Sequence, residues 1–178
     1  SGISQYLYGI TLGNNTFVGV GSGGKIVRST DNGSSWDNAT SGISQQFQGI
    51  TFGNNTFVAV GVSGKIIRST NDGSSWNNVT STSPSRDLQG VSFGNNTFVA
   101  VGEDGRIQIS EDNGTSWSNV TSGDSPYPYG NNNLKGVSFG NNTFVAVGLS
   151  GEIIRSTDYG SSWDNVTSTS PSRDLQGV

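Results

Sequence analysis

The chain contains no cysteine, no histidine and no methionine among its 178 residues. Without cysteine there is no disulfide to staple the fold, no thiolate nucleophile, and no cysteine pattern from which to read a redox compartment. Without histidine the commonest general base is missing. Without methionine, Ser1 is not expected to be a native initiator. No secretory leader is visible there, which fits a mature processed chain or an expressed segment.

Charge is scarce as well. Charged residues make up 12% of the chain, with nine basic side chains and a net charge of −4. There is no basic stripe, so a nucleic-acid partner is not expected. There is no polybasic cluster to hold an anionic membrane surface. The apolar runs are only a few residues long, so membrane insertion is not expected either.

What the chain does have is glycine, with 27 residues, and a polar bulk of Asn, Ser and Thr. Leu, Ile, Val and Phe still supply close to a quarter of the residues, more than disordered segments carry. That mixture suits short strands joined by many turns. It lacks the Ala, Glu, Lys and Leu of a helical protein.

The order of these residues repeats. The pattern L-x-G-[IV] begins at Leu7, Phe47, Leu88, Leu134 and Leu175, at spacings of 40, 41, 46 and 41. Each unit opens with an apolar strand such as Leu88–Phe93, followed by a Gly-Asn-Asn turn whose asparagines tolerate left-handed backbone angles. A second strand, N-N-T-F-V-[AG]-V in its fullest form, is apolar on both faces, as a strand between two neighbours must be. A third strand such as Lys65–Ser69 and a fourth headed by Trp36, Trp76, Trp117 or Trp163 complete the unit.

Four antiparallel strands per unit of this length predict a β-propeller blade. The expected fold is therefore all-β: a propeller of four four-stranded blades over roughly 7–40, 47–80, 88–121 and 134–167 in one domain, plus one extra C-terminal strand at 175–178. A lone blade exposes two apolar faces, and stacked copies bury them. The small residues Gly19, Ala59, Ala100 and Ala146 are expected to let neighbouring sheets approach.

Between the third and fourth strands the chain reads S-x-D-x-G-x-[ST]-W. The copies comprise Ser29, Asp31, Gly33 and Trp36; Ser69, Asn71, Gly73 and Trp76; Ser110, Asp112, Gly114 and Trp117; and Ser156, Asp158, Gly160 and Trp163. This closely resembles the Asp-box repeat of sialidase-type and related propellers. The resemblance implies a structural device in which Asp caps the hairpin, Gly permits the reversal and Trp packs on the blade. Asn71 departs from the pattern and is expected to weaken its turn without abolishing it. A calcium loop would need more oxygen ligands than Asp31, Asp112 and Asp158 bring, so no metal or other cofactor is expected.

The resemblance does not carry sialidase activity with it. Arg28, Arg68 and Arg155 recur at one blade position, where Ile109 stands in the remaining unit, which points to a repeat-wide structural role. Glu103, Asp104, Glu111 and Glu152 are the less regular acids, and no enzyme activity is expected of the chain.

Sequons N-x-[ST] occur at Asn14, Asn32, Asn38, Asn54, Asn78, Asn95, Asn113, Asn119, Asn141 and Asn165. Two readings stand: good turn chemistry copied by the repeat, or N-glycosylation of an extracellular or cell-surface protein. The segment 168–178 repeats 81–91 word for word. It fits truncation of a longer array, closure within one ring, or exchange of Leu175, Gln176, Gly177 and Val178 with a neighbouring molecule. The leading functional expectation is a structural or adhesive repeat protein that assembles with itself as a homo-oligomer or filament. A glycan-binding propeller, with Tyr127 and Tyr129 in its ligand loop, and a fragment of a larger Asp-box propeller are the alternatives.

Overall fold

The computed structural model describes residues 5–79, 81–82, 86–120, 133–166 and 173–177. It contains four antiparallel four-stranded sheets, each meandering in chain order. Blade one is β1 (Leu7–Gly13), β2 (Thr16–Gly21), β3 (Ile26–Ser29) and β4 (Asp37–Ala39). Blade two is β5 (Phe47–Gly53), β6 (Thr56–Gly61), β7 (Ile66–Ser69) and β8 (Asn77–Val79). Blade three is β9 (Leu88–Gly94), β10 (Thr97–Gly102), β11 (Ile107–Ser110) and β12 (Ser118–Val120). Blade four is β13 (Leu134–Gly140), β14 (Thr143–Gly148), β15 (Ile153–Ser156) and β16 (Asp164–Asn165). The chain is an all-β, four-bladed propeller.

The first hairpin of every blade turns on two asparagines. Asn14 and Asn15 hold φ of 47° and 56° between the paired residues Gly13 and Thr16, and the other blades repeat this. Two consecutive positive φ values in a two-residue loop match the right-handed twist of the strands it joins, and asparagine bears that geometry better than most residues.

The cores lie between blades, not inside them. Val18, Val20 and Ile26 of blade one pack with Phe47, Ile50, Phe57, Ala59, Ile67 and Trp76 of blade two. Val58, Val60 and Ile66 meet Leu88, Val91, Phe98, Ala100 and Trp117. Val99, Val101 and Ile107 meet Leu134, Val137, Phe144, Ala146, Ile154 and Trp163. Each blade thus has a leading face, which packs on the blade before, and a trailing face, which receives the blade after. Burying one such Phe or Leu contributes roughly 1.5–3 kcal/mol, so the stacking supplies what an isolated sheet cannot.

Glycine sets how closely the blades approach. A Cβ on Gly13 would lie 2.1 Å from the Phe52 ring, and one on Gly53 or Gly94 would strike Phe93 or Phe139 as closely. The turn glycine of one blade is therefore the seat for the Phe of the next. The small residues Ala59, Ala100 and Ala146 face the preceding blade. The tightest backbone approach is instead at Gly49 and Gly90 of the inner strands, where a Cβ would come within 3.1 Å of the next blade's backbone.

Inner strands pack in the order β1, β5, β9, β13, with no comparable packing of β13 back on β1. The outermost faces are accordingly open. Ile10 is 62% exposed, whereas its counterparts Ile50, Val91 and Val137 are at most 9% exposed. At the other end a Cβ on Gly140 would meet nothing within 4 Å. The strand expected at 175–178 is reached only in part. Arg173–Gly177 form no ladder, although the Leu175 N–H donates to the Gly148 carbonyl (3.0 Å) and the Ser150 N–H donates to Asp174 Oδ1 (3.1 Å). Asp174 thereby takes the place that Asp87 holds against Ser63 (2.8 Å) and Asn133 against Asp104 (3.0 Å). Val178 lies outside the described residues.

These contacts predict a contrast between equivalent glycines. Gly53→Ala should cost about 1–3 kcal/mol of unfolding free energy through overpacking against Phe93. Gly140→Ala should leave the stability of the single chain unchanged. Urea unfolding of both variants in dilute solution checks this; equal losses would refute the seat.

Candidate functional site

The repeated turn is a closed hydrogen-bond circuit. In blade one the Ser29 hydroxyl donates to Asp31 Oδ1 (2.7 Å) and accepts from the Gly33 N–H (2.9 Å). Asp31 also takes the Ser35 N–H (2.9 Å) and, on its other oxygen, the Ser35 hydroxyl (2.6 Å). The Trp36 indole N–H donates to the Gly33 carbonyl (3.1 Å). The same bonds recur around Ser110, Asp112, Gly114 and Trp117, and around Ser156, Asp158, Gly160 and Trp163.

Asn71 keeps this circuit and reverses one bond. Its Oδ1 accepts from Ser69 (2.9 Å) and the Ser75 N–H (3.0 Å), while its Nδ2 donates to Ser75 Oγ (2.9 Å). Gly73 and Trp76 sit as in the other blades.

These bonds stabilise ionised carboxylates. The Ser35 hydroxyl and N–H, with the Ser29 hydroxyl, lower the Asp31 carboxyl to about 2. Burial pushes Asp112 up, but the Ser116 hydroxyl and N–H, Ser110 and the Thr115 N–H outweigh it and bring it to about 2. Ser162 lowers Asp158 in the same way. Both oxygens of each carboxylate accept from within the turn, an arrangement suited to holding shape.

The turn also reaches the blade before it. The turn glycines Gly73, Gly114 and Gly160 lie against Val18, Val58 and Val99. Arg28 Nε donates to the Asp72 carbonyl (3.2 Å), so that arginine ties one blade to the next turn. The sequons divide by contact. Asn14 donates to Asp72 (3.0 Å) and Asn54 to Asn96 (3.3 Å), both across a blade boundary. Asn113 is half-buried and donates to Thr56 Oγ1 (2.8 Å) and the Asn54 carbonyl (3.4 Å) of the preceding blade. Asn38 accepts from Lys25, and Asn119 from Thr82. Asn32, Asn78, Asn95, Asn141 and Asn165 are exposed. Tyr127 and Tyr129 lie outside the described residues.

Two features escaped the sequence reading. Gln108 is fully buried where other blades place Val27, Ile67 or Ile154. Its amide N–H groups donate to Ser81, Thr82 and Asn119 (3.1 Å each), and Ser81 donates back to its oxygen (3.2 Å), pinning the connector from blade two. The break in the third-strand pattern at Gln108-Ile109 was the available signal. Glu152 is buried at the position of Lys25, Lys65 and Arg106, and its Oε2 has no partner among the described residues. Burial pushes its carboxyl above the usual range.

Of the less regular acids, Glu103 and Asp104 are neighbours in the turn after β10, while Glu111 and Glu152 lie elsewhere. Glu103 accepts from the Asp87 N–H (3.1 Å), Asp104 pairs with Arg86 (2.9 Å), and Glu111 is exposed. A groove of about 510 Å³ between blades two and three is lined by Arg68, Asn78, Thr115 and Trp117 among others, with no carboxylate. Among the described residues no three of His, Cys, Asp and Glu are placed to hold a metal.

No family model and no curated protein matches the chain. Solved structures do. YCF48 from Cyanidioschyzon merolae superposes with a TM-score of 0.75 at 19% identity, over 99% of this chain and 60% of that one. An ancestral GH74 enzyme gives 0.76 at 20% identity, over 92% of this chain and 24% of that one. YCF48 bound to D1 peptide gives 0.64 at 18% identity, over 91% and 53%. The likeness is one of propeller fold, and the chain spans less than two thirds of each of these neighbours.

Titration tests the turn. Carboxyls lowered on folding stabilise the native state above their unfolded values, and this is lost as pH falls from about 4 towards 2. Asp112→Asn should therefore depress Tm at pH 6 and have a much smaller effect at pH 2. Glu152 has the opposite sign: its raised carboxyl costs stability once pH exceeds its unfolded value. Glu152→Gln should raise Tm at pH 7, with the gain shrinking below pH 4. Differential scanning calorimetry across that range reads both; pH-independent differences would contradict the assignments.

Proposed function

We propose that the chain is a non-enzymatic structural or adhesive repeat protein of the Asp-box type, working at the cell surface or outside the cell by assembling with itself. One observation carries this: the stack leaves an apolar leading face on blade one and an unfilled seat on blade four. Ile10 and Leu12 are 62% and 54% exposed on β1, whereas the counterparts of Ile10 are at most 9% exposed and those of Leu12, Phe52, Phe93 and Phe139, are half-buried against the blade before. An apolar strand face of that kind marks a surface meant to be covered.

The polar groups support the same reading. The recurrent Ser, Asp and Trp are bonded within their own turns, and the lining of the groove between blades two and three has no carboxylate pair for glycoside cleavage. The sequons at exposed Asn78 and Asn95 suit a glycan-coated surface protein of low charge. Self-association here does not depend on exchange of Leu175–Val178, because Leu175 and Asp174 already bond within their own chain.

Light scattering across a concentration series tests the reading. The expected result is particles at multiples of 18.5 kDa, growing with concentration. A constant single-chain mass, with hydrolysis of a glycoside panel, would replace it with an enzyme.

A further inference from the structure

We infer that the leading face of blade one docks on the trailing face of blade four in a second copy of this chain, forming a fourth version of the interface already present three times within one molecule. The inference rests on the self-assembly reading and supplies its contact surface.

The occupant follows from the repeated contacts. At each internal boundary an apolar residue at the sixth position of the inner strand covers the turn glycine of the blade before: Phe52 on Gly13, Phe93 on Gly53, Phe139 on Gly94. Blade one offers Leu12 at this position, 54% exposed, and blade four offers Gly140, with open space above it. Gly73, Gly114 and Gly160 of the third-to-fourth strand turns each lie on a valine of the preceding blade, whereas Gly33 meets nothing within 4 Å. Its matching valine, Val145, is only partly buried, unlike Val18, Val58 and Val99. Trp36 is likewise left half-covered while Trp76, Trp117 and Trp163 are buried.

Polar groups agree on the register. Asn113 reaches back to Thr56 Oγ1 (2.8 Å) and the Asn54 carbonyl (3.4 Å). Asn32 occupies the same turn position in blade one, and Thr143 and Asn141 occupy the matching positions on blade four. Thr143 is half-buried, where Thr16, Thr56 and Thr97 are covered by the next blade. A second copy placed by the internal rule brings Leu12 over Gly140, Gly33 onto Val145 and Asn32 to Thr143 together, with its Tyr6–Leu7 displacing Asp174 and Leu175 from the places they hold at Ser150 and Gly148. Such a contact is head-to-tail, so it propagates as a ring or a filament according to the rotation it imposes.

The absence of native cysteine makes the contact directly readable. Asn32→Cys and Thr143→Cys proteins, mixed and oxidised, should give an interchain disulfide between positions 32 and 143 by peptide mass spectrometry. Leu12→Asp and Gly140→Trp, both at exposed positions and checked for an unchanged melting curve, should each weaken association at least tenfold by light scattering. Association that persists in both variants with no 32–143 link would overturn this interface while leaving self-assembly standing. A single-chain mass at every concentration would overturn both, and would assign the face to another occupant, such as a further blade on the same polypeptide.

Discussion

Every core in this molecule is shared by two sheets. A strand such as Thr97–Gly102 sends Phe98 and Ala100 to one face and Val99 and Val101 to the other, and all four are fully buried. No sheet of four short strands can cover both of its own faces, so stability is a property of the boundary between blades. The turn glycines show how closely the boundary is fitted: the aromatic ring of one blade rests where any side chain on the previous blade would stand. Such a stack behaves nearly one-dimensionally, as the sum of its blades and of its neighbour contacts.

The S-x-D-x-G-x-[ST]-W turn serves that boundary. Its Ser–Asp–Ser circuit fixes the loop without borrowing from the rest of the protein, and the fixed loop delivers a glycine and a tryptophan to the blade before. The near-equivalence of Asn71 and Asp31 follows. What the geometry needs is an acceptor for two donors plus one further bond to the last Ser, and amide and carboxylate both satisfy it. Charge adds acid sensitivity, since only the carboxylates titrate.

The architecture was legible because the repeat exposes it. L-x-G-[IV] marked each inner strand, the paired asparagines marked each hairpin, and strand two declared burial on both faces. The role of Gly13, Gly53 and Gly94 was not legible, because a turn glycine has a sufficient local reason to be there and its second task involves a residue some forty positions away. Gln108 and Glu152 were hidden for a related reason. A polar residue in a strand reads as solvent-facing, and only the neighbouring blade and its connector show that one is buried with four bonds and the other is buried with an oxygen left over. The sequons illustrate the converse: ten matches look alike in the sequence, yet Asn113 is committed to a blade boundary and Asn78 is free to face solvent.

Near-identical blades raise a problem of order, since any leading face fits any trailing face. The departures from the repeat fall where they can resolve it. The turn position after Asp31, Asn71, Asp112 or Asp158 is Asn32, Asp72, Asn113 or Tyr159, and in blades two and three it reaches across the boundary. Asp72 accepts from Asn14, and Asn113 donates to Thr56. Gln108 binds the connector that precedes its own blade, and a Val or Ile at that position would leave Ser81 and Thr82 without those bonds. Shared apolar contacts thus supply the stability of every boundary, while a few unshared polar ones make the correct neighbour better than the wrong one. Specificity of this kind is a difference between competing pairings, and it needs only small terms placed where the pairings differ.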